Sequence, residues 1–199
     1  MKELAKDIID NFPDRGRPAL GLEPAIALME CVADATGDYI EIGSEAGGSA
    51  IMAGMAMKHT SQAGNIFCID PFGHKNELEG LDERYRAFWQ NIIHYDLHYR
   101  TIAFKQFHPP WPPAMQFRLF SVGLIDGNHS SGAPLADFMS LHCRVMKYLM
   151  FDNAEQGEVD KAIKYAIATG QWEEHKLVIY ESKDKPNVEI KFVILRRKN

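Results

Sequence analysis

The sequence predicts an α/β protein: an open, mostly parallel sheet with helices on both faces, closed at its C-terminal end by an antiparallel hairpin. Three observations predict it. Apolar runs of strand length alternate with helical patterns from Tyr39 to Ala168. These runs are nearly continuous rather than alternating, as a parallel sheet covered on both faces requires. The last two candidate strands are joined only by a turn region, Lys183-Asp184-Lys185-Pro186-Asn187, whereas a parallel crossover needs a dozen or more residues.

Residues 1–35 read as helical, broken up by Pro18 and Pro24. Tyr39 to Ile42 is the first strand, and Ala46 to Lys58, rich in Ala and Met, the helix after it. The turn signal Ala63-Gly64-Asn65 opens a second strand, Ile66 to Ile69. Leu81 to Tyr99 carries Tyr85, Phe88, Ile92 and Tyr95 at helical spacing. Ile102 to Phe104 is a weaker third strand. The four prolines of His108 to Pro113 exclude a regular element there. Phe120 to Ile125 is the fourth strand, Pro134 to Met146 a helix and Tyr148 to Phe151 the fifth strand. Val159 to Ala168 is a helix ended by Gly170. Leu177 to Tyr180 and Val188 to Leu195 form the hairpin.

The 199 residues fit one domain, spanning 1–199, with no linker or repeat dividing it. A formal net charge of −5 argues against a general nucleic-acid binder. Arg196, Arg197 and Lys198 form a small basic end, read as a solvated tail. No apolar stretch approaches the ~18 residues of a membrane span, and the N-terminal MKELAKDIIDNF has no apolar signal core. Cys31, Cys68 and Cys143 are odd in number and lack zinc spacing, so they read as buried free thiols of a reducing compartment. The protein is expected to be cytoplasmic.

Ligands of open parallel sheets bind at the carboxyl ends of the strands. The first strand ends in EIGSEAGGS, Glu41 to Ser49, where glycines allow a tight turn and close approach of a ligand. The free N–H groups of the next helix suit a carboxylate or phosphate. Glu45 stands where a dinucleotide fingerprint has its second glycine, and a carboxylate there repels a pyrophosphate. A tight turn without a ligand is the alternative. The second strand ends in IDPFG, so Asp70 is a candidate for accepting hydrogen bonds from ribose hydroxyls, with Phe72 against an adenine ring. The alternative is that Asp70 only caps a turn.

The fourth strand ends in IDGNHSSG and the fifth in FDN, bringing Asp126, His129, Asp152 and Asn153 to one sheet edge. Two carboxylates, an amide oxygen and water make a hard-oxygen site, better suited to magnesium than to zinc. A pair of helix N-caps is the alternative. A second metal candidate is HYDLH, whose His94 and His98 lie four apart on a helix; it lacks the Glu of the zinc motif and reads better as a partly exposed face.

These motifs resemble class I S-adenosylmethionine (SAM) dependent methyltransferases over about residues 38–195, closest to the small group similar to catechol and macrocin-type O-methyltransferases. The resemblance implies a Rossmann-like three-layer sandwich with strand order 3-2-1-4-5-7-6. It implies that Glu41, Gly43, Ser44, Gly47 and Ser49 hold the methionine part of SAM, and that Asp70, Pro71 and Phe72 form the ribose-side turn. Asp126, Asp152 and Asn153 would bind a divalent metal, magnesium by the resemblance, and His129 with Asp126 would serve catalysis. Asn128 replaces an acid frequent in sugar-directed relatives, and the segment before the fifth strand lacks their paired glycine.

The expected reaction is metal-assisted O-methylation of a small hydroxylated molecule. The metal would lower the acceptor's pKa while His129 takes its proton. Transfer to an amine or lone hydroxyl without metal is an alternative, and a non-catalytic binding protein is another. An NAD-dependent oxidoreductase is disfavoured by the missing glycines and the hairpin. Residues 1–35 and the Pro-rich segment are expected to cap the acceptor pocket, with Trp111 either a ligand wall or loop packing. No membrane or nucleic-acid partner is expected; a homodimer stays open.

Overall fold

The computed structural model describes residues 1–13, 20–73, 81–181 and 187–198. Pro18 and most of the hairpin turn expected at 183–187 lie outside the described residues.

The helices α1 (Lys2–Asp10) and α2 (Leu22–Asp34) precede β1 (Tyr39–Ile42). There follow α3 (Gly48–His59), β2 (Ile66–Asp70), α4 (Leu81–His94) and β3 (Thr101–Lys105). A short 3-10 turn, Pro113–Met115, lies before β4 (Phe120–Ile125). The chain ends with α5 (Ala133–Leu141), β5 (Val145–Phe151), α6 (Gly157–Ala168), β6 (Trp172–Glu181) and β7 (Glu189–Arg197). The seven strands form one sheet in the order β3-β2-β1-β4-β5-β7-β6, as expected. β1 to β5 pair in parallel, and β7 runs antiparallel to both β5 and β6.

Alternation along β1 sorts the two cores. Tyr39 faces α1 to α4, packing with Ile8, Leu28, Ile51 and Phe88. Ile40 and Ile42 face α5 and α6, packing with Phe138 and Ile163. Burial of a large apolar side chain contributes roughly 1.5–3 kcal/mol, so both layers stabilise the sheet.

Pro24 does not break α2. It stands in the first turn, before the first intrahelical donor, Ala25 N–H to Gly21 O, where a missing N–H costs nothing. α4 stops at His94 rather than Tyr99, because Asp96 turns left-handed. His98 therefore leaves the helix, and the one-face pairing expected of His94 and His98 does not exist. α5 stops at Leu141, and the chain enters β5 three residues earlier than expected. The Arg196–Lys198 end is not a solvated tail. Arg196 pairs with Glu173 across the hairpin, and Arg197 donates to the His142 and Val145 carbonyls while lying over Trp172. Cys31 and Cys68 are buried, and burial pushes the Cys31 thiol up to about 12; Cys143 is exposed, against expectation.

No described helix is long and apolar enough to cross a membrane.

Candidate functional site

Backbone hydrogen bonds align the carboxyl ends of five strands, β3, β2, β1, β4 and β5, in a row. Gln106 N–H donates to Asp70 O, Gly43 N–H to Ile69 O, Asp126 N–H to Ile42 O and Asp152 N–H to Ile125 O. The expected site residues at the ends of β2, β1, β4 and β5 thus lie along one edge. Four of the seven described non-glycine residues with positive φ follow these strands: Glu45, Phe72, Ser131 and Asn153. Strained backbone concentrates where a function requires it.

The loop after β1 is made by glycine. Gly43 has φ +90°, and a Cβ there would stand 2.1 Å from the Asp126 carbonyl oxygen. Only glycine lets this loop lie so close to the end of β4. Gly47, at φ +86°, is the N-cap of α3, and no side chain caps that helix. Its first N–H groups are therefore available to an anion. A pocket is lined by Leu20, Gly43, Ser44, Glu45, Gly48, Ser49 and Asp126. Glycine-lined walls, uncapped helix N–H groups and two serines fit the carboxylate end of an amino acid such as the methionine part of SAM.

Asp70 braces this loop. Its Oδ2 accepts the N–H groups of Ser44 at 2.7 Å and Glu45 at 3.0 Å, and its Oδ1 accepts that of Phe72. Three of the carboxylate's four lone pairs are thus used, and one on Oδ1 remains to accept from a ligand hydroxyl. Pro71 is half-buried beside it. Phe72 is a correction: its side chain is fully buried between Tyr85 and Phe88 and offers no face to an adenine. Glu41 also has no exposed surface. It lies beneath the loop, accepts a hydrogen bond from Tyr39 Oη at 2.9 Å, and burial holds its carboxyl above the usual range. Its other oxygen, Oε1, is buried without a hydrogen-bond partner.

On the other half, Asp126 and Asp152 are not N-caps: α5 is capped at Gly132 and α6 at Gln156, neither through a side chain. Burial, then the charges of Glu45, Glu41 and Asp70, push the Asp126 carboxyl well above its ordinary value. Burial and Asp126 push Asp152 up to about 7. Tyr180 Oη donates to Asp152 Oδ1 at 2.9 Å. Burial lowers the pKa of His129, whose ring is neutral at neutral pH. Its Nε2 lies 3.5 Å from Asp126 Oδ1, buried and without a hydrogen-bond partner.

Among the described residues, no group of three His, Cys, Asp or Glu side chains is arranged for a metal ion, the HYDLH histidines included. Asp126, Asp152 and the Asn153 amide make a smaller oxygen set. Two mutually repelling carboxylates on adjacent strands fit a divalent cation by charge and donor type.

The sequence reading missed three groups. Leu20 lines the cofactor-loop pocket, and Tyr180 reaches the site from β6. The third group is a buried cluster behind the β4 loop. His108 Nδ1 lies 2.7 Å from Asp137 Oδ1, and Ser140 Oγ lies 3.2 Å from His108 Nε2. It fastens the Pro-rich segment to α5. Trp111 of that segment stacks on Phe120, under the Arg144 guanidinium. Phe120 begins β4, so Trp111 is packing at the sheet's opposite edge and not a ligand wall.

A family described as "Methyltransferase domain" matches residues 40–152. A search of curated protein sequences finds no match. Several solved structures share the fold. The O-methyltransferase from Bacillus cereus, in complex with SAH, superposes with a TM-score of 0.69 at 12% identity, covering 98% of this chain and 90% of that one. The O-methyltransferase TomG from Streptomyces achromogenes, in complex with SAM, gives 0.64 at 11% identity, covering 99% and 89%. A putative RNA methyltransferase from Pyrococcus horikoshii gives 0.67 at 12% identity, covering 100% and 98%. With more than half its length matched, the chain belongs to the methyltransferase-domain family and has the class I, SAM-dependent methyltransferase architecture.

Proposed function

We propose that the protein moves the methyl group of SAM to a hydroxyl oxygen of a small acceptor, assisted by a divalent cation, magnesium by donor type. One observation carries this reading: a single pocket is walled by the loop after β1 and by Asp126, so a cofactor cradle opens directly onto the acid that ends β4. The SAH and SAM held by the Bacillus and Streptomyces neighbours support the cofactor. Ser44, Ser49 and the uncapped N–H groups of α3 would take the methionine carboxylate, and Asp70 the ribose hydroxyls.

Methyl transfer from a sulfonium is an in-line displacement, so fixed alignment of donor and acceptor supplies much of the rate. Bound SAM would supply the methyl group, its sulfur keeping the electron pair of the broken carbon–sulfur bond and departing as SAH. The new bond forms to the acceptor oxygen, whose proton goes to the neutral imidazole of His129. A cation held by Asp126, Asp152 and Asn153 would lower the acceptor's pKa.

Calorimetric titration with SAM, then acceptor screening by SAH release with magnesium or EDTA, tests this. Micromolar SAM binding and magnesium-dependent turnover are expected. A folded protein that binds no SAM overturns the proposal. The acids crowding Asp126 favour one second reading, transfer to a cationic amine without metal. Turnover indifferent to EDTA would select it. The net charge of −5 disfavours an RNA acceptor.

A further inference from the structure

We infer that Tyr180 is a positioning residue for Asp152, and that the N-terminal segment seats it there through Gly21. The inference rests on the proposed cation site at Asp126, Asp152 and Asn153. Both Gly21 and Tyr180 lie outside the stretch 40–152 that matches the family.

Tyr180 stands on β6, paired with Ile190 of β7, two strands away from β5. Its side chain is 7% exposed, and its hydroxyl reaches Asp152 Oδ1 at 2.9 Å. That bond commits one oxygen of a carboxylate that is itself only 4% exposed, and fixes the direction of the other. A ligating carboxylate oriented in this way binds metal more tightly than one free to rotate.

The ring is fixed from the other side by the start of α2. A Cβ at Gly21 would stand 2.7 Å from Tyr180 Cδ2 and 3.2 Å from Cε2. The backbone of Gly21 is ordinary, with φ −65°, so glycine is required here for space and not for conformation. Its neighbour Leu20 is buried and lines the pocket of the loop after β1. One dipeptide therefore touches the cofactor cradle through Leu20 and the Asp152 support through Gly21. The arrangement makes the N-terminal segment part of the site.

The test uses the full chain, with SAM affinity measured by calorimetry and Mn²⁺ affinity by the paramagnetic resonance of free Mn²⁺. Tyr180→Phe removes only the hydroxyl, and Gly21→Ala displaces the ring that carries it. Both are expected to weaken Mn²⁺ binding about tenfold or more. SAM affinity and the thermal midpoint should change little in Tyr180→Phe. Unchanged Mn²⁺ affinity in Tyr180→Phe overturns the inference. A wild-type protein that binds SAM but no Mn²⁺ also overturns it, while leaving methyl transfer standing. Absence of SAM binding instead overturns the functional reading beneath it. Parallel losses of SAM affinity, Mn²⁺ affinity and thermal midpoint in both variants would mark Tyr180 as packing alone and likewise overturn the inference.

Discussion

The two halves of the site are built from different materials. After β1 and β2 the chain uses backbone: two glycines at positive φ, an uncapped helix terminus, and Asp70 holding three backbone N–H groups. After β4 and β5 it uses side chains: Asp126, Asp152 and His129, each pushed by burial toward its uncharged form. The first half is braced by Asp70 and leaves the α3 N–H groups and the Ser44 hydroxyl open to a ligand. The second holds acids whose charge is poorly compensated, which an incoming cation or cationic acceptor relieves. A cofactor used in every turnover suits the first kind of surface, and the variable partner suits the second.

The largest effect is expected where the halves touch. Gly43→Ala forces a Cβ to 2.1 Å from the Asp126 carbonyl at a φ that L-residues avoid. We expect a loss of about 4 kcal/mol or more in urea unfolding, together with loss of SAM binding. Near-native stability would show that the two loops are not in contact.

Asp152→Asn should act through pH. Unfolded, this carboxyl titrates near 3.8, and folded near 7. Between those values the folded chain holds a proton that the unfolded chain has released. The group's stabilisation is thus complete below about pH 4 and is lost as pH rises through 7. In EDTA the wild type should lose on the order of 1 kcal/mol per pH unit across that window. The variant should show a flatter curve, and magnesium should restore the wild type at pH 8 but not the variant. Identical pH profiles of unfolding would count against a poorly compensated second half.

His108→Ala asks whether that half depends on the Pro-rich segment. The imidazole and the Asp137 carboxylate are both nearly inaccessible, at 1% and 4% exposure. We expect a loss of about 2 kcal/mol, less than for a stranded charge, because burial already raises the proton affinity of Asp137. SAM titration should be unchanged, since the cradle is made elsewhere. A parallel loss of SAM affinity would join the two halves through α5.

Sequence legibility divides along the same line. β1 and β4 are readable to the residue, because largely apolar runs of strand length that end at a glycine or Asp-Gly turn fit covered strands. β5 begins earlier than expected because Met146 and Lys147 are polar or exposed at its start and continue the helical pattern of α5. β6 begins at Trp172, unseen, because Glu173 to Lys176 lie on the exposed edge of the sheet, where charge is tolerated. Asp70, Asp126 and Asp152 are legible because each ends an apolar run. Tyr180 is not, since what brings it to Asp152 is the antiparallel register of a hairpin, a long-range fact with no local signature. The His108–Asp137 contact spans 29 residues and is hidden for the same reason.

The smallest expected effect tests whether the halves also speak through charge. Glu45 occupies the position of a fingerprint glycine and takes the left-handed conformation, φ +41°, that glycine adopts freely. Its N–H serves the cradle by donating to Asp70, while its charge raises the proton affinity of Asp126. Glu45→Gln separates these roles, keeping the backbone and removing the charge. Because the Asp126 carboxyl is raised in the fold, deprotonating it costs stability, and removal of a neighbouring charge reduces that cost. A gain of about 0.5 kcal/mol at low ionic strength is expected, as Glu45 is exposed. It should vanish near 1 M salt, where screening acts within about 3 Å. Glu45→Gly provides the contrast, relieving the backbone instead of the charge, and its effect should not respond to salt. A salt-independent gain in Glu45→Gln would place the coupling in the backbone and leave Asp126 indifferent to the cradle.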